Sequence, residues 1–214
     1  MPKDDPEPRW PAFVAVLAAG GLYLALPSGL TVLPRWGFLV FVGTLLAATV
    51  FLHRIGHHRL DRVLGFTLTS FLTLQMILSL VLLVGALPSH RESPGMLLVS
   101  AGSLWATNVL VFALWYWRLD AGGPHGRDQR VSHTAGAFLF PQMTLSPEAK
   151  VLTRVELWSP EFVDYLFLAF NTSTAFSPTD TAVLSRWAKI LTMLQAVISL
   201  AVLALLAARA VNIL

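Results

Sequence analysis

With 214 residues, the chain is long enough for one soluble domain, but 55% of its residues are hydrophobic and only 13% are charged. This composition, with a mean hydropathy of +0.65, excludes an ordinary soluble domain and is typical of a protein embedded in a lipid bilayer. The absence of cysteine excludes disulfides and thiolate sites, and the net charge of +3 is scattered between apolar runs, which argues against a nucleic-acid partner.

The first half of the chain contains four long apolar segments. They cover residues 12–26, 36–52, 63–87 and 96–117. Each is near the roughly 20 residues that a helix needs to cross a bilayer, so the sequence predicts four spanning helices. The fold class that we expect is therefore all-α, a polytopic helical membrane bundle whose first part, residues 1–117, comprises a short tail and these four helices.

Residues 118–159 form a polar segment that the sequence predicts to be a loop outside the membrane. Within it, Ser146-Pro147-Glu148 places an N-cap serine, a proline at the first helical position and an acid in the first turn. Ser159-Pro160-Glu161 repeats this pattern just beyond the segment. The first signal predicts a helix that ends near Trp158 and lies along the membrane surface, and the second predicts a helix from Pro160 to about residue 176.

The distribution of lysine and arginine predicts the orientation in the membrane. Ten of these residues lie in the N-terminal tail, in residues 53–62 and in residues 118–159, whereas the opposite side of the four helices has only Arg35 and Arg91. Because positively charged loops stay in the cytoplasm, we expect the N-terminus and the polar segment to be cytoplasmic.

The C-terminal part, residues 160–214, combines a short apolar segment with a long apolar run from 184 to the end. The end of the short segment is polar. Its polar positions are Asn171, Thr172, Thr174, Ser177, Pro178, Thr179 and Asp180. Polar groups at membrane depth are tolerated where they line water or are buried in protein. In the alternative, the hydroxyls bond their own helix and Ser177-Pro178 forms an ordinary exposed turn.

The C-terminal part resembles a potassium-channel pore. An aromatic residue is followed by Thr172, Thr174 and Asp180, and then by Arg186 and a long alanine-rich helix. In two-helix potassium channels the corresponding parts are the pore helix, the selectivity filter and the inner helix. Ser177-Pro178-Thr179 replaces the glycine-tyrosine-glycine of that filter. Because proline has a fixed φ and lacks an N–H donor, potassium selectivity is not predicted.

Over its whole length the chain is also similar to a bacterial membrane family designated domain of unknown function 1345. The shared features are four N-terminal helices, a polar loop, a phenylalanine-rich short segment, a turn that ends in aspartate, and a final helix that ends near an asparagine. This resemblance implies a multi-pass protein of the bacterial inner membrane and assigns no activity.

Two topologies are open for the short segment, taken as residues 161–177. Seventeen helical residues extend about 26 Å, which is marginal for a hydrocarbon core of about 30 Å. If the segment crosses the membrane, Asp180, Arg186 and Lys189 lie outside; if it re-enters from the cytoplasmic face, they stay inside. We favour crossing, which gives about six membrane segments.

Three polar residues after the second helix have the spacing of a metal site. His53, His57 and Asp61 fall at i, i+4 and i+8, with His58 adjacent, and could bind zinc or another divalent ion from one helix face. Nearby arginines oppose a cation, and a polar helix end at the membrane surface is the more ordinary interpretation. We therefore expect no resident cofactor.

Uncharged polar residues follow the faces of several helices, among them Gln75, Asn108, Gln195 and Ser199. Hydrogen bonding between helices explains them more simply than a polar pathway does. The middle of the first four helices contains no charged residue, which argues against a proton relay. No phosphate-binding glycine loop or catalytic triad is evident, so the sequence does not predict an enzyme.

These patterns favour a channel-like pore or permeation protein. One chain has too few polar groups to enclose a pathway, so this function requires a homo-oligomer in the lipid bilayer with inorganic ions as its permeant partners. The alternative is a non-conducting scaffold or assembly partner of another membrane protein. A less favoured third possibility is a metal-dependent membrane enzyme that uses His53, His57 and Asp61.

Overall fold

A computed structural model describes residues 7–86, 94–130, 133, 135–156, 158–174 and 180–211. These residues fold mainly into α-helices, and the strands among them are two short segments of two residues each. Four of the helices are long and apolar enough to cross a membrane. The prediction of an all-α fold is therefore confirmed.

The N-terminal helices match the apolar segments of the sequence. They are α1 (Trp10–Ala25), α2 (Arg35–Arg54), α3 (His58–Ala86) and α4 (Pro94–Leu119). Most ends differ from the prediction by one or two residues. The exception is α3, which begins five residues early because the polar sequence after the α2–α3 turn continues the helix.

The polar segment after α4 is more ordered than a loop. A single 3-10 turn, Asp120–Gly122, leads into α5 (Gly123–Asp128), and a short strand β1 (Phe138–Leu139) follows. The φ angles of 52° at Ala121, 84° at Gly122 and 81° at Gly123 allow the sharp change of direction between α4 and α5. The sequence predicts a loop that holds one surface helix, and the structure adds α5 and β1 to this segment.

The two predicted helix starts have different outcomes. Helix α6 (Pro147–Thr153) begins as predicted, because the Ser146 Oγ accepts a hydrogen bond from the backbone N–H of Ala149 at 3.2 Å. Helix α7 (Phe162–Thr174) begins two residues later than predicted. There the Asp164 carboxylate accepts a bond from the Glu161 N–H at 2.8 Å.

The C-terminal part continues from α7 to a second short strand, β2 (Ala182–Val183), and ends in α8 (Arg186–Val211). Strand β2 pairs antiparallel with β1, so that Phe138 lies opposite Val183. With 26 residues, α8 extends about 39 Å and is one of the four helices long enough to span a bilayer.

Internal contacts divide the chain into two compact units. The hairpin unit contains Met1–Ala12 and Phe112–Ala196, and its buried core includes Tyr116, Phe138 and Tyr165. The bundle unit contains Phe13–Val111 and Val197–Leu214.

The core of the bundle unit is built from apolar side chains of the first four helices. The Tyr23 and Phe38 rings stack there with centroids 3.9 Å apart. The same helices also expose large apolar side chains, such as those of Trp36, Val40 and Phe51 on α2. Apolar surface of this extent requires a lipid or protein neighbour.

Candidate functional site

Helices α7 and α8 run in the same direction within the hairpin unit. Near the start of both helices, the Phe138 ring contacts the rings of Tyr165 and Trp187 at centroid distances of 6.2 and 6.1 Å. Further along both helices, the Gln195 amide contacts Ala169 and Ser173. Because positions on α7 and α8 advance together, the two helices are parallel.

A parallel pair requires the chain to return between them. The chain reaches the level of β1 again at Leu184, whose N–H donates to the carbonyl of Ala137 at 2.8 Å. From Tyr165 to Thr174, α7 advances about 13 Å away from this level. The stretch of chain from the start of α7 to the start of α8 therefore begins and ends at the same level.

This geometry bears on the two topologies that the sequence leaves open for the short segment. Crossing, which we favoured from the sequence, stays a prediction, but two features of the structure favour re-entry. With 13 residues, α7 extends only about 20 Å, well short of a hydrocarbon core of about 30 Å. Pairing of β2 with β1 then fixes the start of α8 beside the start of α7.

The predicted filter residues lie at the far end of α7 and beyond it. Thr172 and Thr174 donate their hydroxyls to carbonyls of their own helix, those of Leu168 at 2.8 Å and Phe170 at 3.0 Å. Thr174 and Asp180 are exposed, and Asn171 and Thr172 are partly exposed. Ser177, Pro178 and Thr179 lie outside the described residues.

Gln195 connects three helices of the hairpin unit. Its amide nitrogen donates to the Ala169 carbonyl at 2.7 Å and to the Ser173 hydroxyl at 2.8 Å, and its oxygen accepts from the Tyr116 hydroxyl at 2.5 Å. Gln195, Ser173 and Tyr116 are all buried. This predicted polar position therefore fixes α7 against α4 and α8.

A second polar cluster lies near the start of α7, and sequence reasoning missed it. We call Glu7, Trp117, Asp120, Arg127, His133 and Tyr165 the buried network. Asp120 accepts hydrogen bonds from the Tyr165 hydroxyl at 2.7 Å and from the Ala137 N–H at 2.5 Å. The Nε2 atom of His133 lies 3.6 Å from the same carboxylate. Asp120 thus holds the start of α7 against β1.

Arg127 is the cation of the buried network. Its guanidinium donates to the Glu7 carboxylate at 2.9 and 3.1 Å, to the Trp117 carbonyl at 2.9 Å and to the Asp120 carbonyl at 3.0 Å. It also lies 5.0 Å from the centre of the Tyr165 ring. The Trp117 indole N–H donates to the second oxygen of Glu7. Arg127 therefore joins the N-terminal segment to α4 and α7.

Burial controls the protonation of the buried network. Burial raises the pKa of Glu7, and the nearby Arg127 guanidinium offsets part of that rise. Burial lowers the pKa of His133. The Asp120 carboxylate opposes this shift, and the charges of Arg127 and Arg130 reinforce it. His133 is therefore neutral at pH 7.

The lowered pKa of His133 predicts one contribution to stability that falls in mild acid, while the raised pKa of Glu7 acts in the opposite direction. Below the unfolded-state pKa of about 6.5, the unfolded chain binds a proton that the folded chain resists, so stability is lost as the pH falls further. The loss is at most about 1.4 kcal/mol per pH unit. Thermal unfolding of the detergent-solubilised protein from pH 7.5 to 5 should show this component, and His133→Gln should remove it.

The exposed His57 supplies the control for this pH prediction. His57→Gln should unfold with the pH profile of the wild type. Identical pH profiles for wild type and His133→Gln would show that His133 does not contribute.

One signal for the buried network is present in the sequence and was not used. Asp120 follows an apolar helix directly and precedes two glycines, and Arg127 lies one short helix further on. The polar composition of this stretch indicated exposure, and Glu7 lies more than 100 residues away. No local pattern links these residues, so their contact could not be read from the spacing.

The other predicted polar positions belong to the bundle unit. Asn108 donates its amide to the Ser199 hydroxyl at 3.1 Å, and both side chains are buried. Gln75 and Ser79 line a cavity of about 10 Å³ together with Thr107. This cavity is too small for an ion with its hydration shell. Asn108 and Ser199 therefore join α4 to α8, whereas Gln75 and Ser79 line this small cavity, which forms no ion pathway in one chain.

The predicted metal ligands are corrected by one residue. His53, His58 and Asp61 come together, with one ligand atom of each within 4.8 Å of the others, whereas His57 is exposed and outside this group. The predicted set of His53, His57 and Asp61 depended on one continuous helix through residues 53–61. In fact α2 ends at Arg54 and α3 begins at His58, so the i, i+4, i+8 spacing does not place the residues on one face.

Comparison of the chain with models of protein families, with curated proteins and with solved structures finds no match.

Proposed function

We propose that the chain is a multi-pass integral membrane protein of the bacterial inner membrane with a re-entrant C-terminal hairpin. The support is the length of α2, α3, α4 and α8 and the apolar side chains that these helices expose. The excess of lysine and arginine around the polar segment supports a cytoplasmic position for it and for the N-terminus. Helix α7 then enters the bilayer from the cytoplasmic face.

Within this membrane protein, the proposed activity is that of a channel-like pore. The observation that carries the proposal is the parallel arrangement of α7 and α8, whose starts lie at the same level. This order of elements resembles the pore hairpin of two-helix channels. There, a short helix enters part of the membrane, the chain returns to the same face, and a long helix follows. The polar end of α7 would then lie at membrane depth, where polar groups need water or protein around them.

The pore requires several copies of the chain. Ser173 and Gln195 bond within the hairpin unit. Of the predicted lining residues that the structure describes, Thr174 and Asp180 are the most exposed and are the ones that we assign to a pathway. A symmetric ring of chains would bring their copies together around one axis. The segment with Ser177-Pro178-Thr179 lacks glycine, so we expect ion permeation without potassium selectivity.

Ion flux into liposomes tests this proposal. We expect purified wild-type protein to conduct, and Asp180→Asn and Thr174→Val to change the flux severalfold, because they remove a charge and a polar group from the pathway. Thr67→Val is a matched control for the threonine, since Thr67 is also exposed and also bonds its own helix at 3.0 Å. Glu148→Gln is the control for loss of an exposed carboxylate.

Two results would count against the pore. Wild-type protein of known oligomeric mass that gives no flux would contradict conduction by this chain alone. Flux that Asp180→Asn and Thr174→Val change no more than the two controls do would place the pathway elsewhere.

A non-conducting scaffold is the second candidate, and one observation favours it. The hydroxyls of Thr172 and Thr174 bond carbonyls of their own helix, and Gln195 fixes the middle of α7 from within the chain. The hairpin would then serve as a packing element. This function predicts no flux and co-purification with a particular membrane protein.

A further inference from the structure

The turn between α2 and α3 brings three metal-binding side chains together. His53 lies in the last turn of α2, and His58 and Asp61 lie in the first turn of α3. Gly56 has a φ of 78°, which reverses the chain within three residues. The N–H groups of Gly56 and His57 close this turn by donating to carbonyls at the end of α2.

We propose that His53, His58 and Asp61 form a binding site for a divalent transition-metal ion of the zinc class. Two imidazoles and one carboxylate are a common ligand set for such ions, with water in the fourth position of a tetrahedron. The site differs from the pore in location and chemistry, and it does not depend on conduction.

The distances fit this ligand set closely. Ligand atoms about 2.0–2.1 Å from a tetrahedral ion lie about 3.3 Å from one another. The Nδ1 atom of His53 is already 3.3 Å from the Asp61 carboxylate. All three ligand atoms lie within 4.8 Å of one another, and side-chain rotation would have to close the rest of the spacing when an ion binds.

The surroundings leave room for the ion and for its water. An open pocket beside the turn is lined by His58 of the cluster, together with Gly56, His57, Arg59 and Leu60. Arg54, Arg59 and Arg62 are exposed, so solvent screens their repulsion of a cation. The C-terminal end of α2 carries a partial negative charge that favours a cation beside His53. A bound ion would join the ends of α2 and α3.

Titration with Co²⁺ tests the site directly. The full chain is purified in detergent with an affinity tag that contains no histidine, and Co²⁺ binding is followed by its visible absorption. We expect about one ion per chain with the strong absorption of four-coordinate Co²⁺, displaced by Zn²⁺. His58→Ala and Asp61→Asn should each weaken binding at least tenfold.

His57→Ala is the matched control, because His57 is adjacent in sequence but exposed and outside the cluster. It should bind Co²⁺ as the wild type does. If His58→Ala does not fold, His53→Gln replaces it as the ligand variant. Two results would contradict the metal site: equal Co²⁺ affinity in the wild type and the ligand variants, or a loss of Co²⁺ affinity in His57→Ala equal to that in the ligand variants. Either result would show that the cluster is an ordinary histidine–aspartate contact. Metal binding is measured without flux, so either proposal can fail alone.

Discussion

Replacing Arg127 with methionine is expected to destabilise the protein by about 3–5 kcal/mol. Arg127 is only 2% exposed and donates hydrogen bonds to the Glu7 carboxylate and to the carbonyls of Trp117 and Asp120. Methionine keeps most of the apolar contacts but leaves a buried carboxylate without its cation and two carbonyls without a donor. The penalty for unpaired buried groups exceeds the modest gain from avoiding burial of the cation.

The effect of Arg127→Met can be measured by reversible unfolding in mixed detergent micelles. Arg130→Met is the control, because Arg130 is exposed and bonds a single carbonyl; it should change stability by less than about 0.5 kcal/mol. The double variant with Glu7→Leu should recover part of the loss, since it removes both charges. A loss below 1 kcal/mol for Arg127→Met would contradict the described burial of this ion pair.

The second large effect is expected for Gly123→Ala. Gly123 has a φ of 81° and a ψ of −178°, a conformation that is essentially restricted to glycine. A Cβ atom there would also lie 2.8 Å from the backbone oxygen of Arg118, which cannot rotate away. Strain and overlap together should cost about 2–4 kcal/mol and should displace α5, which contains Arg127.

Gly122→Ala is the matched comparison for Gly123→Ala. Its φ of 84° and ψ of 11° lie in the left-handed region, and a Cβ atom there would meet no other atom within 4 Å. Its cost should be about 1 kcal/mol, from the backbone conformation alone. The same unfolding assay checks both variants. Equal losses would show that the contact with Arg118 adds nothing.

The sequence predicted the helices well because their signal is local. Apolar runs near 20 residues determined α1 to α4 within a few residues, and the Ser146 signal placed the start of α6. The direction of the short hairpin helix was harder, since its length was marginal for crossing and the charge rule preferred re-entry only slightly. Pairing of β2 with β1, which decides the direction, involves four residues with no pattern of their own.

The candidate sites were predicted less completely, for two physical reasons. Glu7 and Arg127 are buried together although each lies in a polar stretch, and only the fold shows that they meet. The metal ligands failed by one residue, since His57 and His58 are equivalent by type and the helix boundary decides which one faces Asp61. The histidines and the aspartate of the second case were visible in the sequence, whereas the buried network had no local signature.

The parallel course of α7 and α8 also has a consequence for ion preference. The peptide dipoles of α7 point their negative end, at Thr174, away from the face at which the helix enters. In the proposed multimer, several such ends would surround one axis, each equivalent to about half a negative charge. Their combined field lowers the energy of a cation and raises that of an anion at this depth. A reversal potential measured under a salt gradient should therefore lie toward the cation equilibrium potential.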